Sequence, residues 1–144
     1  VGPDNTFRLK FGRITDKRVP FDGEVWYVAG VTCDEAGNIY VSDRNLKTIQ
    51  KYDGEGKFVA MVASGLRGEP ADLAWAKGRI YCVDADGTRI FAVGTDGKQL
   101  AAFGKNGRWP EDFGIISGIG VSRDGKVYVA DSYFLRVTIL ESVE

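Results

Sequence analysis

The chain of 144 residues contains no histidine, and this absence excludes several kinds of functional site. Histidine is the usual general base of catalytic triads and the commonest protein ligand of zinc. No apolar run approaches the roughly 20 residues that a membrane-spanning helix needs. The formal net charge is only −1, so no overall field favours nucleic acid or an anionic membrane. We therefore expect no cofactor, no catalytic triad and no membrane partner.

What the chain does contain is a six-residue motif that occurs three times. The copies are NIYVSD at residues 38–43, RIYCVD at residues 79–84 and KVYVAD at residues 126–131. Each copy has a tyrosine in third position, two small or apolar residues after it and a final aspartate. Repeats of about 40 to 50 residues that contain only strands are typical of the blades of a β-propeller.

Alternating apolar and polar residues around each motif predict four short antiparallel strands per repeat. The 19 glycines fit the tight turns that must join such strands. Blade 1 covers residues 28–63, blade 2 covers residues 70–104, and blade 3 covers residues 116–140 without a fourth, outer strand. The predicted fold class is therefore all-β, a propeller of four-stranded antiparallel blades with three blades in the chain.

Residues 1–12 look like an outer strand without the rest of its blade. Phe7, Leu9 and Phe11 alternate with Arg8 and Lys10, which predicts a half-buried strand. Three blades cannot close a ring, because propellers need about four to eight. We expect a second copy to complete a six-bladed ring as a homodimer, with the orphan strand exchanged into the incomplete blade of the partner. The other half of a longer protein could complete the ring instead.

Both cysteines, Cys33 and Cys82, fall where the other repeats carry apolar residues. The pattern therefore predicts two buried free thiols. Two cysteines in different repeats do not make a disulfide framework.

The repeats resemble the NHL family of propellers, and the resemblance extends over nearly the whole chain. Blade 2 departs from the family pattern at Trp75 and Ala76, where a small apolar residue and an aspartate are usual. The resemblance implies a propeller fold but says little about function, because the motif residues are the structural ones. The matching segments are AGVTCD at residues 29–34, TIQKY at 48–52, GKF at 56–58, RIF at 89–91, DGK at 96–98, FG at 103–104, GIGV at 118–121, DGKVYVAD at 124–131 and RV at 136–137, with the first and second copies of the motif.

The loops between blades and the loops from second to third strand leave a propeller on the same face. In this chain they carry arginine and aromatic side chains, the types that dominate binding hot spots. We predict that this face binds a protein or peptide. The candidate binding residues are Arg18, Trp26, Arg44, Arg67, Arg108, Trp109, Tyr133 and Phe134.

Other interpretations of this loop face stay open. Some NHL propellers bind RNA on a basic face, but acidic residues share these loops and disfavour RNA here. The face is otherwise a plain solvated surface, or the aromatic residues of these loops fill the blade junctions, namely Phe21, Trp26, Trp109 and Phe113. The acidic residues are Asp16, Asp22, Glu24, Glu69, Asp86, Glu111 and Asp112.

The aspartate that ends each motif has two interpretations. Asp43, Asp84 and Asp131 could ligate Ca²⁺ if they surrounded one pore, since calcium takes oxygen ligands. Their identical placement in every repeat favours a structural task, in which each accepts hydrogen bonds from the turn that follows it. We therefore predict no metal site and no catalytic residue.

The sequence favours a non-enzymatic scaffold that binds protein partners and assembles into a closed ring. The alternatives are a metal-dependent propeller hydrolase of the lactonase kind, with its site in the pore, and an excised or designed fragment without native activity. The chain starts without a methionine or a signal peptide, so we expect a processed, excised or designed form, and the sequence assigns no compartment.

Overall fold

The computed structural model of the chain describes residues 7–14 and 22–141, and the regular structure in these residues is entirely β. The thirteen strands are β1 (Arg13–Ile14), β2 (Glu24–Val25), β3 (Val28–Cys33), β4 (Ile39–Asp43), β5 (Thr48–Tyr52), β6 (Phe58–Ala63), β7 (Pro70–Ala76), β8 (Arg79–Asp84), β9 (Ile90–Gly94), β10 (Gln99–Phe103), β11 (Ile116–Val121), β12 (Val127–Asp131) and β13 (Arg136–Leu140). The all-β prediction is confirmed. No helix long and apolar enough to cross a membrane occurs among the described residues.

Three antiparallel sheets follow one another along the chain, and each is built by strands that pair in sequence order. The first sheet is β3-β4-β5-β6 and the second is β7-β8-β9-β10, so both have four strands. The third is β11-β12-β13, with no fourth strand among the described residues. β1 and β2 form a separate short parallel pair. We call the three large sheets blade 1, blade 2 and blade 3.

Each copy of the six-residue motif forms the second strand of its blade. Successive side chains of this strand point to opposite faces of the sheet. In β8, Ile80 and Cys82 point toward blade 1, and Tyr81 and Val83 point toward blade 3. All four side chains are buried, because blade 2 has a neighbouring sheet on both sides. A strand buried on both faces loses the usual alternation of apolar and polar residues.

Blades 1 and 2 pack closely through an apolar core. Tyr40 and Ile49 of blade 1 meet Leu73, Ile80 and Phe91 of blade 2. Dispersion between well-packed side chains and the burial of apolar surface both stabilise such a junction.

Trp75, the departure from the family pattern, lies in this same junction. Its ring stacks on that of Tyr40 with centroids 5.2 Å apart, and its backbone N–H donates to the Thr32 hydroxyl. The large indole therefore serves the packing of blade 2 against blade 1.

The backbones of blades 1 and 2 also approach each other. A Cβ placed on Gly30 would lie 2.3 Å from the carbonyl oxygen of Ala71. The Ser42 hydroxyl donates to that same carbonyl at 2.6 Å. Only glycine leaves room for this approach, so Gly30 is required by the adjoining sheet.

The junction of blades 2 and 3 repeats the arrangement with other side chains. Tyr81 and Val83 of blade 2 pack with Val127 and Val129 of blade 3, and Phe113 from the preceding loop completes the core. The two junctions therefore hold three sheets in a row, each stacked face to face on the next.

The outer faces of the row have no blade against them in the described chain, although β2 and Phe11 cover part of blade 1, where the Gln50 amide donates to the Glu24 carbonyl. Val31 on blade 1 is 62% exposed, and Val137 on blade 3 is 64% exposed. Cys33 also lies on the outer face of blade 1 and is exposed, so its predicted burial is wrong, whereas Cys82 is buried as predicted. The reason is geometric: Cys33 takes the position of Trp75 in its repeat, but no sheet covers it.

The predicted orphan strand is not a strand in this structure. The first six residues of that segment lie outside the described chain, and residues 7–12 have no β-partner. Phe11 nevertheless packs on Tyr52 of blade 1, with ring centroids 4.9 Å apart. A strand needs a partner edge for its backbone hydrogen bonds, and residues 7–12 pair with none here.

Candidate binding surface

The aspartate at the end of each motif connects two loops that lie at the same end of the strands. Asp43 accepts backbone N–H groups of Trp26 and Tyr27, which precede blade 1, and of Leu46, which follows β4. Asp84 accepts a hydrogen bond from the Glu69 N–H and forms an ion pair with Arg89. Asp43 and Asp84 thus each join the loop that enters their blade to the loop between its second and third strands.

Asp131 makes the largest set of these bonds. It is buried and accepts the backbone N–H groups of Gly114 and Ile115 from one loop and of Tyr133 and Phe134 from the other, at 2.9 to 3.2 Å. Burial alone raises the pKa of Asp131, but the four N–H groups outweigh it, and the pKa lies below its ordinary value. The charged carboxylate therefore fixes the relative position of both loops.

These two loops border a cleft of about 450 Å³ that we call the loop cleft. Its walls differ in chemistry: Arg108 comes from the loop before blade 3, and Tyr133 and Phe134 come from the loop after β12. The two aromatic rings meet edge to face, with centroids 4.9 Å apart. The residues around the cleft are Asn106, Gly107, Arg108, Gly114, Ile115, Tyr133 and Phe134.

Arg136 supports the loop cleft from β13. Its guanidinium lies 5.1 Å from the centre of the Phe134 ring and donates to the carbonyl oxygens of Trp109 and Asp112. It also lies 3.6 Å from Asp131. The Arg136 guanidinium thereby orients the Phe134 ring and binds the backbone of the loop that carries Arg108.

The structure brings together part of the predicted binding set. Arg108, Tyr133 and Phe134 line the loop cleft, and Trp109 follows Arg108 with 69% of its surface exposed. Tyr133 is 67% exposed, so both rings are accessible to a partner.

The other predicted residues lie elsewhere. Trp26 is exposed at the loop that Asp43 holds, and Arg44 is paired with Glu69 at 3.0 Å. Arg67 is exposed in the loop before blade 2, and Arg18 lies outside the described residues. The geometry therefore singles out the loop cleft among the predicted binding loops.

Three exposed apolar side chains next to the aspartate-bound loops were not among the predicted residues. They are Tyr27, Ile115 and Leu135. Leu135 has a positive φ of 52°, a conformation that disfavours a branched apolar residue. The sequence offered no signal for them, because the aspartate bonds beside them join residues far apart in the chain.

The tyrosine of the first motif has a structural environment. The Tyr40 hydroxyl donates to Asp34 at 3.1 Å, and the ring is buried against Trp75. Burial raises the pKa of Tyr40 to about 12, and the hydrogen bond and charge of Asp34 act in the same direction. Tyr40 therefore stays protonated at neutral pH.

No group of three or more acidic or cysteine side chains that could share a metal ion occurs among residues 7–14 and 22–141. The carboxylate oxygens of the three motif aspartates accept hydrogen bonds from backbone N–H groups. This geometry agrees with the structural interpretation of Asp43, Asp84 and Asp131.

Comparison with known proteins assigns the architecture. No family model matches the chain, and no curated protein matches it in sequence. Among solved structures, it superimposes on the hydrazine synthase of Kuenenia stuttgartiensis with a TM-score of 0.62 and 21% identity, over 91% of this chain and 36% of that one. The chain has the β-propeller fold.

Two further propellers share this likeness. A chain of the nidogen/laminin complex gives a TM-score of 0.57 at 20% identity, over 78% of this chain and 42% of the other. Virginiamycin B lyase from Staphylococcus aureus gives 0.53 at 11% identity, over 82% and 42%. The chain thus spans well under half the length of these structures, and identities this low show the fold alone.

Proposed function

We propose that this chain is a non-enzymatic propeller scaffold of the NHL type that binds a protein or peptide segment in the loop cleft, and that a second copy completes its ring. The observation that carries the binding role is the loop cleft itself. It combines an arginine and two aromatic rings in a concave site, with Trp109 exposed at its border. Arginine, tyrosine and tryptophan are the residues that contribute most to protein–protein affinity.

The rigidity of the loop cleft supports this role. Asp131 bonds the backbone of both loops, and Arg136 orients Phe134, so little order has to be gained when a partner binds. Preorganised sites lose less conformational entropy on association and therefore bind more tightly. Propeller neighbours of this chain also occur in protein complexes, among them the nidogen/laminin complex.

The chemistry of the walls defines the kind of peptide. Arg108 is exposed and available to pair with a carboxylate, while Tyr133, Phe134 and Ile115 offer apolar surface beside it. We expect a short segment that presents an acidic residue next to a large apolar one. Arg108 would then pair with the acidic side chain of the partner, and the aromatic rings would contact the apolar side chain next to it.

A peptide display selection tests this function. A library of random 12-residue peptides is selected on the purified protein, and enriched peptides are titrated by calorimetry. Tyr133→Ser and Arg108→Ser should each weaken an enriched peptide at least about tenfold, because each removes a hot-spot side chain. Arg123→Ser, a change of an exposed arginine in the turn between β11 and β12, should leave the affinity unchanged.

Enriched peptides that bind the Tyr133→Ser and Arg108→Ser proteins as tightly as the parent would overturn the loop cleft as the binding site. A selection that enriches no peptide for the parent protein would overturn the binding role.

A further inference from the structure

The outer face of blade 3 has the composition of a face that packs on another blade. The residues on this face pair across the three strands of blade 3. The residues of blade 1 that face blade 2 pair across their strands in the same register. We call this outer face of blade 3 the open face. It consists of Gly118, Gly120, Tyr128, Ala130, Val137 and Ile139.

Gly118 is the strongest sign that the open face is made for a neighbour. It pairs with Ala130 as Gly30 pairs with Ser42, and both glycines follow a bulge at the start of the first strand. At Gly30 the adjoining blade comes so close that a Cβ would clash with Ala71. At Gly118 a Cβ would meet nothing within 4 Å. The same residue stands at the same position, but the neighbour that explains it is missing.

The segment 7–12 supplies the second observation. A Cβ on Gly97 of blade 2 would lie 2.1 Å from the carbonyl oxygen of Val62, in the outer strand of the blade before it. Gly56 takes the corresponding place in blade 1, and its Cβ would lie 2.7 Å from the ring of Phe11. Residues 7–12 therefore already lie against blade 1 where the outer strand of a preceding blade would lie.

Blade 3 lacks an outer strand of this kind in the described chain. No strand pairs with the free edge of β13, and a groove of about 350 Å³ runs between β13 and β10. Leu100 and Phe103 of β10 are exposed along this groove. A free strand edge beside apolar side chains accepts an added strand.

We propose that the occupant of both places is a second copy of this chain, an inference that rests on the ring completion proposed above. The open face of one copy packs on the outer face of blade 1 of the other, around Val31 and Cys33. Residues 7–12 of that other copy pair with the free edge of β13. A twofold axis makes the second junction identical to the first and closes a ring of six blades.

A second copy fits better than an unrelated partner because the chain carries both halves of the junction. Blade 1 holds an unpaired segment in the position of a preceding outer strand, and blade 3 has no outer strand among residues 7–14 and 22–141. The exposed Val31 and Cys33 of blade 1 stand at the positions of Leu73 and Trp75, which pack against the preceding blade in the junction already formed.

The first test is the solution mass, measured by light scattering on a size-exclusion column from about 1 to about 200 µM protein. The parent protein should approach twice the chain mass of 15.8 kDa. Gly118→Leu should raise the dimer dissociation constant by about 100-fold or more, because its side chain fills the space of the adjoining blade. Gly54→Leu, in an exposed turn of blade 1 with an ordinary 3.5 Å contact, is the matched control and should remain dimeric.

The second test uses the exposed thiol. Cys33 should react with iodoacetamide about tenfold more slowly at the high end of this range than at the low end, because dimerisation covers the outer face of blade 1. In the Gly118→Leu protein the rate should stay fast at every concentration. Cys82 is buried and should stay unmodified throughout, which reports that each variant is folded.

The outcomes distinguish failure of the proposed interface from failure of ring completion by a second copy. A parent protein that stays monomeric over the whole range overturns both proposals. A dimer whose mass is unchanged by Gly118→Leu and by Val31→Asp, with Cys33 reactive throughout, overturns this interface but leaves ring completion standing. Val31→Asp changes an exposed side chain, so its effect on mass is independent of any effect of leucine on blade 3.

Discussion

At the scale of single residues, the three motif aspartates act as connectors between loops. Sequence reasoning predicted local caps, because a short acidic side chain at the end of a strand commonly accepts N–H groups of the next turn. The structure adds that Asp43 and Asp131 also bond the loop that enters the blade. That second set of bonds joins residues 16 to 17 positions apart, which no local pattern shows.

Replacing Asp131 with alanine should destabilise the protein. Four backbone N–H groups lose their acceptor, and two of the four come from each loop. We expect the free energy of unfolding to fall by about 3 kcal/mol, measured by urea denaturation at fixed protein concentration. Glu111→Ala, an exposed acidic residue of the neighbouring loop, should change it by less than about 0.5 kcal/mol.

The same carboxylate should make stability depend on acid pH. The folded pKa of Asp131 lies below its ordinary value of 3.8, so the charged form stabilises the fold above that value. The stabilisation is lost as the pH falls through the folded pKa. We expect the stability difference between the parent and Asp131→Asn to be full at about pH 6 and to shrink toward about pH 3. A difference that is constant over this range would contradict the assignment.

At the scale of elements, the strands that the sequence could predict are those whose pattern is local. The second strand of each blade alternates around a tyrosine, and glycine turns mark its limits, so β4, β8 and β12 could be identified. The short pair β1–β2 and the state of residues 7–12 could not be predicted, because they depend on which sheet lies beside them. Cys33 was wrongly predicted as buried for the same reason.

The loop cleft was predictable only in part. Arg108, Tyr133 and Phe134 were identified by residue type and by their place in loops on one face. Ile115 was missed because an isolated aliphatic residue before a strand looks like part of the core. In the structure its N–H donates to Asp131, 16 residues away, and its side chain is exposed.

Gly30 offers a test of how closely two blades pack. Alanine at this position would put a methyl carbon 2.3 Å from the Ala71 carbonyl oxygen, and backbone cannot move aside as a flexible side chain can. We expect Gly30→Ala to cost about 1 to 3 kcal/mol of stability, seen as a lower thermal midpoint. Gly54→Ala should leave the midpoint nearly unchanged, since its Cβ meets only an ordinary contact. Equal midpoints for the two variants would show that the blades are less closely packed than described.

At the scale of the whole molecule, burial is unequal among the three blades. Blade 2 is covered on both faces, whereas blades 1 and 3 each leave one face open. Large exposed apolar surfaces mark interaction sites in soluble proteins. The protein therefore has two kinds of contact surface, the sheet faces at its two ends and the loop cleft.

The non-enzymatic proposal makes a prediction for the molecule as a whole. Protein purified without chelator, exposed to Ca²⁺ and Zn²⁺ and then desalted should retain far less than one ion per chain by elemental analysis. Carboxylates at Asp43, Asp84 and Asp131 are engaged by N–H groups or by an arginine, so they are poor ligands. One tightly held ion per chain or per dimer would favour the metal-dependent hydrolase instead.

The bonds of Asp131 have a consequence for how such a protein changes over generations. All four hydrogen bonds of the carboxylate come from main-chain N–H groups, and every amino acid except proline supplies one. Mutation can therefore exchange the side chains at positions 115, 133 and 134 without releasing the two loops, whereas a Cβ on Gly114 would lie 2.7 Å from Tyr133. Lineages that inherit this aspartate are free to acquire new partners while the architecture stays the same.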